Sequence, residues 1–139
     1  MIFQKENFIP NLDYILPSLH KQKLYDKDEF TKKFESSSWP GFRSQVLTET
    51  EPFFVNHLSS LLSNLQIFKN INFNFRAFTH LRLKEDEPKD WIHKDNGSYD
   101  ISGLVYLNET NHTSGTLFYD DNKNIINDVK YVKNRIVLF

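Results

Sequence analysis

A chain of 139 residues, 39% hydrophobic and 25% charged, is long enough to bury a core of its own, and a net charge of −1 without a long basic run gives no strong nucleic-acid signal. The absence of cysteine excludes disulfides and thiolate metal sites, so any metal must rely on His, Asp, Glu, Asn or backbone oxygen. No apolar run approaches a membrane span, and the first six residues lack the apolar stretch of a signal peptide, which predicts a cytoplasmic protein with no membrane partner.

In chain order, residues 8–24 mix apolar positions with Pro10 and Pro17, which limit any helix to short pieces. Phe30 and Phe34, four apart in a charged stretch, predict a short amphipathic helix over 26–36. Residues 36–41, ending Trp39-Pro40-Gly41, read as a tight turn with an aromatic anchor. Thr48 and Glu51 fit a capping box with Pro52 in the first turn. Phe53, Phe54, His57, Leu58, Leu61, Leu62 and Leu65 then form a stripe at 3–4 spacing, expected to pack on a sheet, with His57 a packing residue.

From Ile71 the period changes to two. Ile71, Phe73, Phe75, Ala77, Thr79, Leu81 and Leu83 share one face, while Asn72, Asn74, Arg76, His80 and Arg82 take the polar one. One long half-buried strand is predicted, with Phe78 the exception. Residues 84–90, carrying Glu85, Asp86, Glu87 and Asp90, read as a solvated loop. Further strands are predicted at 91–93, 101–107, 116–119, 129–132 and 135–139. Turns fall at Gly97-Ser98, 108–115 and 120–124, and His112 is placed in the second of these. The 15% aromatic share, with 13 Phe, favours such pleated surfaces. Helices first and short antiparallel strands after make a single domain that is mainly β with N-terminal helices, an α+β class.

The triplet His93-Lys94-Asp95 carries the chemistry. On an extended backbone, residues two apart point to one side, so an imidazole and a carboxylate emerge together. With a second His they would make a two-His-one-carboxylate triad, which holds Fe(II) and leaves coordination positions open. A His-x-Asp triplet is weak by itself and takes its meaning from context.

That context is ordered. Trp91-Ile92-His93-Lys94-Asp95-Asn96-Gly97 is followed by Tyr99–Asn108, with its Tyr106-Leu107-Asn108 ending, then by Ser114-Gly115-Thr116-Leu117-Phe118-Tyr119 and Asn134-Arg135-Ile136-Val137-Leu138-Phe139. The series resembles the core of the iron(II)- and 2-oxoglutarate-dependent oxygenases related to prolyl hydroxylases. It covers residues 71–139, and Trp39-Pro40-Gly41-Phe42-Arg43-Ser44 is similar to a segment of phage-type members.

The resemblance implies a double-stranded β-helix, or jelly roll, over 67–139, supported by a helical region over 1–66. It also implies a dioxygenase that hydroxylates a substrate while decarboxylating 2-oxoglutarate to succinate. His93 and Asp95 match two metal ligands, and Tyr106 matches the tyrosine that binds the distal carboxylate of 2-oxoglutarate. Leu104 and Leu117 match pocket-lining positions, and Thr79 and Leu83 are candidates for the inward face. Fe(II), 2-oxoglutarate and dioxygen are the implied cofactor and cosubstrates. The family's distal His and a basic residue would follow Phe139, so a truncated jelly roll with weak or no iron binding and no turnover is expected. Arg135–Phe139 is expected to be an unpaired, adhesive edge. The substrate is open among a peptide, a nucleobase and a small metabolite. A different class also stands: a degenerate jelly roll serving as a binding or structural module without catalysis.

Overall fold

The computed structural model describes residues 1–36, 39–86, 92–95 and 99–139. It is a mixed helix-and-strand chain with antiparallel sheets, none of them closed among the described residues. The chain divides into two compact units, one formed by residues 1–12 with 91–139 and the other by residues 13–90. Residues 67–90, expected with the jelly-roll core, thus group with the helices, and residues 1–12 group with the strands.

The first unit is built of strands. β1 (Phe3–Lys5) and β5 (Gly103–Val105) pair antiparallel on either side of β8 (Ile136–Leu138), giving the order β1-β8-β5. Strands β6 (Asn111–Tyr119) and β7 (Ile125–Tyr131) form a hairpin. Its turn is closed by Asp120, whose Oδ1 accepts the N–H groups of Asn122 and Asn124 at 2.9 and 2.8 Å. Tyr106, Val129 and Val137 form a buried cluster with Ile2, Phe118, Tyr131 and Phe139 around it. Phe118 packs its ring on Phe139 at 4.9 Å and Tyr131 stacks on Tyr106 at 4.4 Å, so one face of the hairpin lies on one face of the three-stranded sheet.

Two expectations are corrected here. β8 is a central strand, not an edge, because the N-terminal segment supplies its second neighbour; Ile136, Val137 and Leu138 are all buried. The predicted turn over 108–115 is strand from Asn111 onward, and His112 lies on that strand as an exposed residue. Between Asn111, paired with Tyr131, and Gly115, paired with Lys130, residues 112–114 bulge out of the ladder, and Asn111 Oδ1 accepts the Thr113 N–H at 3.0 Å.

The second unit contains α1 from Asp13 onward (the helix is Leu12–His20), β2 (Leu24–Asp26), α2 (Lys27–Lys33), β3 (Phe42–Ser44), α3 (Leu47–Thr50), α4 (Pro52–Ser63) and β4 (His80–Leu81). Pro17 sits inside α1, which ends three residues later. Helix α2 starts where the Asp26 carboxylate accepts the Glu29 N–H at 2.8 Å, and it buries Phe30. Phe30 meets Phe34, Trp39 and Phe78 at ring separations of 5.0, 5.3 and 6.2 Å. The Arg43 guanidinium lies over Trp39 and Phe78.

The capping box does not form. Thr48 lies inside α3, and Glu51 breaks the helix at φ −139° because a residue before proline avoids the helical region. Glu51 instead accepts from the Gln22 side chain at 2.8 Å. The buried stripe of α4 is Val55, Leu58 and Leu62, continued by Leu65 beyond the helix. Phe53 is 88% exposed, and His57 is exposed rather than packed.

The long strand expected over 71–83 is reduced to β4. Burial does alternate from Phe73 to Arg82, with Phe78 the exception, as the period of two predicts. The ladder is missing because its partner is short. Ser44 and Leu47 donate backbone N–H groups to Thr79 and Ala77 at 2.9 and 2.8 Å, and from Leu47 onward the partner turns into α3. The expected strand at 91–93 lies partly outside the described residues, and Ile92–His93 is not strand. The Gly97-Ser98 turn, Ser37-Ser38 and the loop residues 87–90 also lie outside them. No described helix is long and apolar enough to cross a membrane.

Candidate functional site

His93 and Asp95 lie in the first unit, on a segment outside any strand. Their side chains turn to the same side, with His93 Nε2 3.6 Å from Asp95 Oδ1 and side-chain exposures of 57% and 45%. Between them, Lys94 points elsewhere and pairs with Asp121 in the β6–β7 turn at 2.9 Å. The triplet thus divides between the His93–Asp95 pair and an exposed ion pair from Lys94 to the hairpin turn.

The pair fits part of a metal centre. Donor atoms about 2.1 Å from one ion stand about 3.0 Å apart at a right angle, so small rotamer changes in His93 and Asp95 would bring both onto one cation. The third position is not supplied. No group of three His, Cys, Asp or Glu side chains able to hold a metal exists among the described residues. Of the three ligands that an iron(II) triad requires, the described residues bring together one candidate pair and no third.

Tyr106, just past β5, is buried. Its hydroxyl is 2.7 Å from Thr116 Oγ1, and its ring stacks on Tyr131. Burial holds the phenol above its ordinary pKa, partly offset by the Thr116 hydrogen bond and the nearby Arg135 charge. Leu104, two residues earlier, shares the face of Tyr106 and is 38% exposed. Leu117 goes elsewhere: since Thr116 meets Tyr106, Leu117 projects from the other side of β6, where it is 44% exposed. Thr79 and Leu83 belong to the second unit. The structure thus joins His93 with Asp95, and Leu104 with Tyr106 on one face, and leaves Leu117 on the opposite side of its strand from the Tyr106 contact.

The sequence reading missed Thr116 and Tyr131 as partners of Tyr106. No local pattern marks them, since the meeting of β5 with β6 and β7 depends on how the hairpin packs. Arg135 was read only as part of a strand motif. Its backbone carbonyl accepts the Tyr106 N–H at 3.1 Å, and its side chain donates to Lys130 O at 2.9 Å and pairs with Glu6 at 2.5 Å.

In the second unit, a groove of about 280 Å³ is lined by Asp26, Asp28, Trp39, Gly41, Phe42 and Asp86, among others. Two of its carboxylates are already engaged. Asp26 caps α2, and Asp86 accepts the Leu83 N–H at 2.6 Å. His80 borders the same turn, with Nε2 2.8 Å from Pro40 O and its ring edge against Trp39. One side of His80 is exposed, but enclosure of the ring lowers its pKa below 6.5, with the Arg43 and Arg82 charges acting in the same direction and the Pro40 hydrogen bond against it.

No protein-family model matches this chain, and neither a curated protein nor a solved structure matches it.

Proposed function

We propose that this chain carries part of an iron(II)- and 2-oxoglutarate-dependent oxygenase centre of the prolyl-hydroxylase-like kind, in which His93 and Asp95 supply two of the three metal ligands. The observation that carries this reading is their convergence to 3.6 Å on a segment that leads into β5. Two antiparallel sheets packed face to face in the first unit are compatible with part of a jelly roll. With iron and 2-oxoglutarate bound, such a centre would supply the chemistry that activates dioxygen to hydroxylate a further molecule, a peptide, nucleobase or metabolite. Within the chain, Asp95 would contribute negative charge and His93 a neutral imidazole nitrogen, and the Lys94–Asp121 pair would orient the segment that bears them. Tyr106 would anchor a carboxylate only by exchanging its Thr116 partner for the ligand.

The engagement of Tyr106 favours a second reading, a β module of this shape that binds without catalysis. Its phenol is committed to the core, as expected of a structural tyrosine.

Manganese(II), an oxygen-stable stand-in for iron(II), tests the first reading on the 139-residue chain. Two protein ligands hold an ion weakly, so titration is expected to broaden the NMR signals of residues 92–95 before all others. Asp95→Asn should abolish that selectivity, and 2-oxoglutarate should strengthen it. Uniform broadening, identical in wild type and Asp95→Asn, would leave only the binding module.

A further inference from the structure

We propose that the outer edge of β8 is a strand-acceptor site, filled by the segment Met1–Ile9 and able to take the same segment from a second copy of this chain. The starting point is connectivity. Within the first unit, residues 91–139 are continuous, whereas Met1–Leu12 is separated from them in sequence by the whole of the second unit. β1 therefore reaches β8 through noncovalent contacts between residues more than a hundred positions apart. The β8 site reads only the segment and is indifferent to which copy supplies it.

The contacts are specific to this segment. Phe3, Gln4 and Lys5 pair with Leu138, Val137 and Ile136. The Glu6 carboxylate meets the Arg135 guanidinium at 2.5 Å. Phe8 donates its N–H to Asn134 O at 3.0 Å, and the Asn134 side chain takes both backbone groups of Ile9. An acceptor that requires a carboxylate one residue after the ladder and a free backbone three residues later is matched by another copy of Met1–Ile9.

β1 and β5 are both three-residue edge strands on β8, but only β1 is joined to β8 through the whole of the second unit, so it can leave without breaking the continuity of residues 91–139. When β1 lifts, the three β8 residues present an unpaired apolar edge, the form of backbone that captures a strand. Reciprocal exchange between two copies then restores every contact.

Because the natural chain has no cysteine, single cysteines report the exchange directly. Gln4 and Val137 are cross-strand partners, and such residues stand about 4.5–5.5 Å apart at Cα, within disulfide reach. Chains bearing Gln4→Cys or Val137→Cys alone are mixed at high concentration under mild oxidation. A chain bearing both is oxidised when dilute as a control for geometry. The expected result is an internal disulfide in the double variant and a mixed-disulfide dimer in the mixture, at least five-fold above the dimer that Gln4→Cys forms with itself. An internal disulfide with no excess of mixed dimer would overturn the proposal, and so would failure of the internal disulfide. Amide exchange of the unaltered chain gives a check that no substitution can compromise. β1 amides should exchange at least ten-fold faster than those joining β5 to β8, and equal rates would show that β1 does not open separately.

Discussion

Asn134 grips the backbone of Ile9 from both sides, its Oδ1 accepting the Ile9 N–H at 2.8 Å and its Nδ2 donating to the Ile9 carbonyl at 2.8 Å. The grip depends on backbone shape, since Asn134 sits at φ +61°, where asparagine is tolerated better than most residues. Asn134→Ala removes both bonds beside the buried Ile9 and places a poor residue in the left-handed region. It should cost about 3 kcal/mol, the sum of two partly buried groups left without partners and about 1 kcal/mol of backbone strain. Asn134→Gly loses the same bonds without the strain, so urea denaturation should rank wild type above Gly and Gly above Ala. Equal midpoints for Gly and Ala would show that the left-handed backbone contributes nothing.

Gly41 is the corresponding backbone requirement in the second unit. It adopts φ +84°, and a Cβ there would lie 2.4 Å from Leu81 O. Neither the conformation nor the neighbouring backbone can yield cheaply. Gly41→Ala should therefore destabilise by about 2 kcal/mol or more, and hydrogen exchange should rise at the β3–β4 pairing. A thermal midpoint equal to wild type would show that the turn has another accessible shape.

Local signals were legible in the sequence where one element suffices to explain a residue. Phe30 buries itself on the predicted short helix, burial alternates from Phe73 to Arg82, and Asp120 closes its turn. What could not be read there depends on partners distant in the chain. Whether Ile136–Leu138 is an edge or a centre is decided by residues 3–5, and the length of β4 is decided by where residues 42–47 stop being extended. The candidate site divides in the same way. The placement of His93 and Asp95 side by side is in keeping with their spacing of two, whereas the sequestration of the Tyr106 hydroxyl by Thr116 follows from tertiary packing.

His80 sets a pH dependence in the second unit. Its pKa in the folded chain is lowered below 6.5, first by enclosure of the ring. As pH falls through 6.5 the unfolded chain takes up a proton that the folded chain resists, so the stability His80 confers is present above 6.5 and is lost as pH falls towards the folded value. The groups facing the ring act in both directions, with Arg43 and Arg82 opposing protonation and Asp86 favouring it. His80→Gln, which keeps a donor for Pro40 O, should flatten the stability profile between about pH 7.5 and 5.5. A profile as steep as wild type would assign the dependence to other groups.

The hydroxyl of Tyr106 is the point at which the two functional readings make different demands. If its role is to join β5 to the hairpin, Tyr106→Phe and Thr116→Val should each cost about 1 kcal/mol, and the double variant should cost little more than either alone. Such coupling is the signature of one hydrogen bond lost twice. The same burial gives an alkaline signature. Because the folded phenol is held above 10.0, the unfolded chain ionises first, and stability is lost as pH rises from 10.0 towards the folded value. Tyr106→Phe has no proton to lose and should remove that part of the decline. Additive single-variant costs, together with an unchanged alkaline decline in Tyr106→Phe, would show that the hydroxyl is not committed to Thr116. It would then be free to meet a carboxylate, as the oxygenase reading requires.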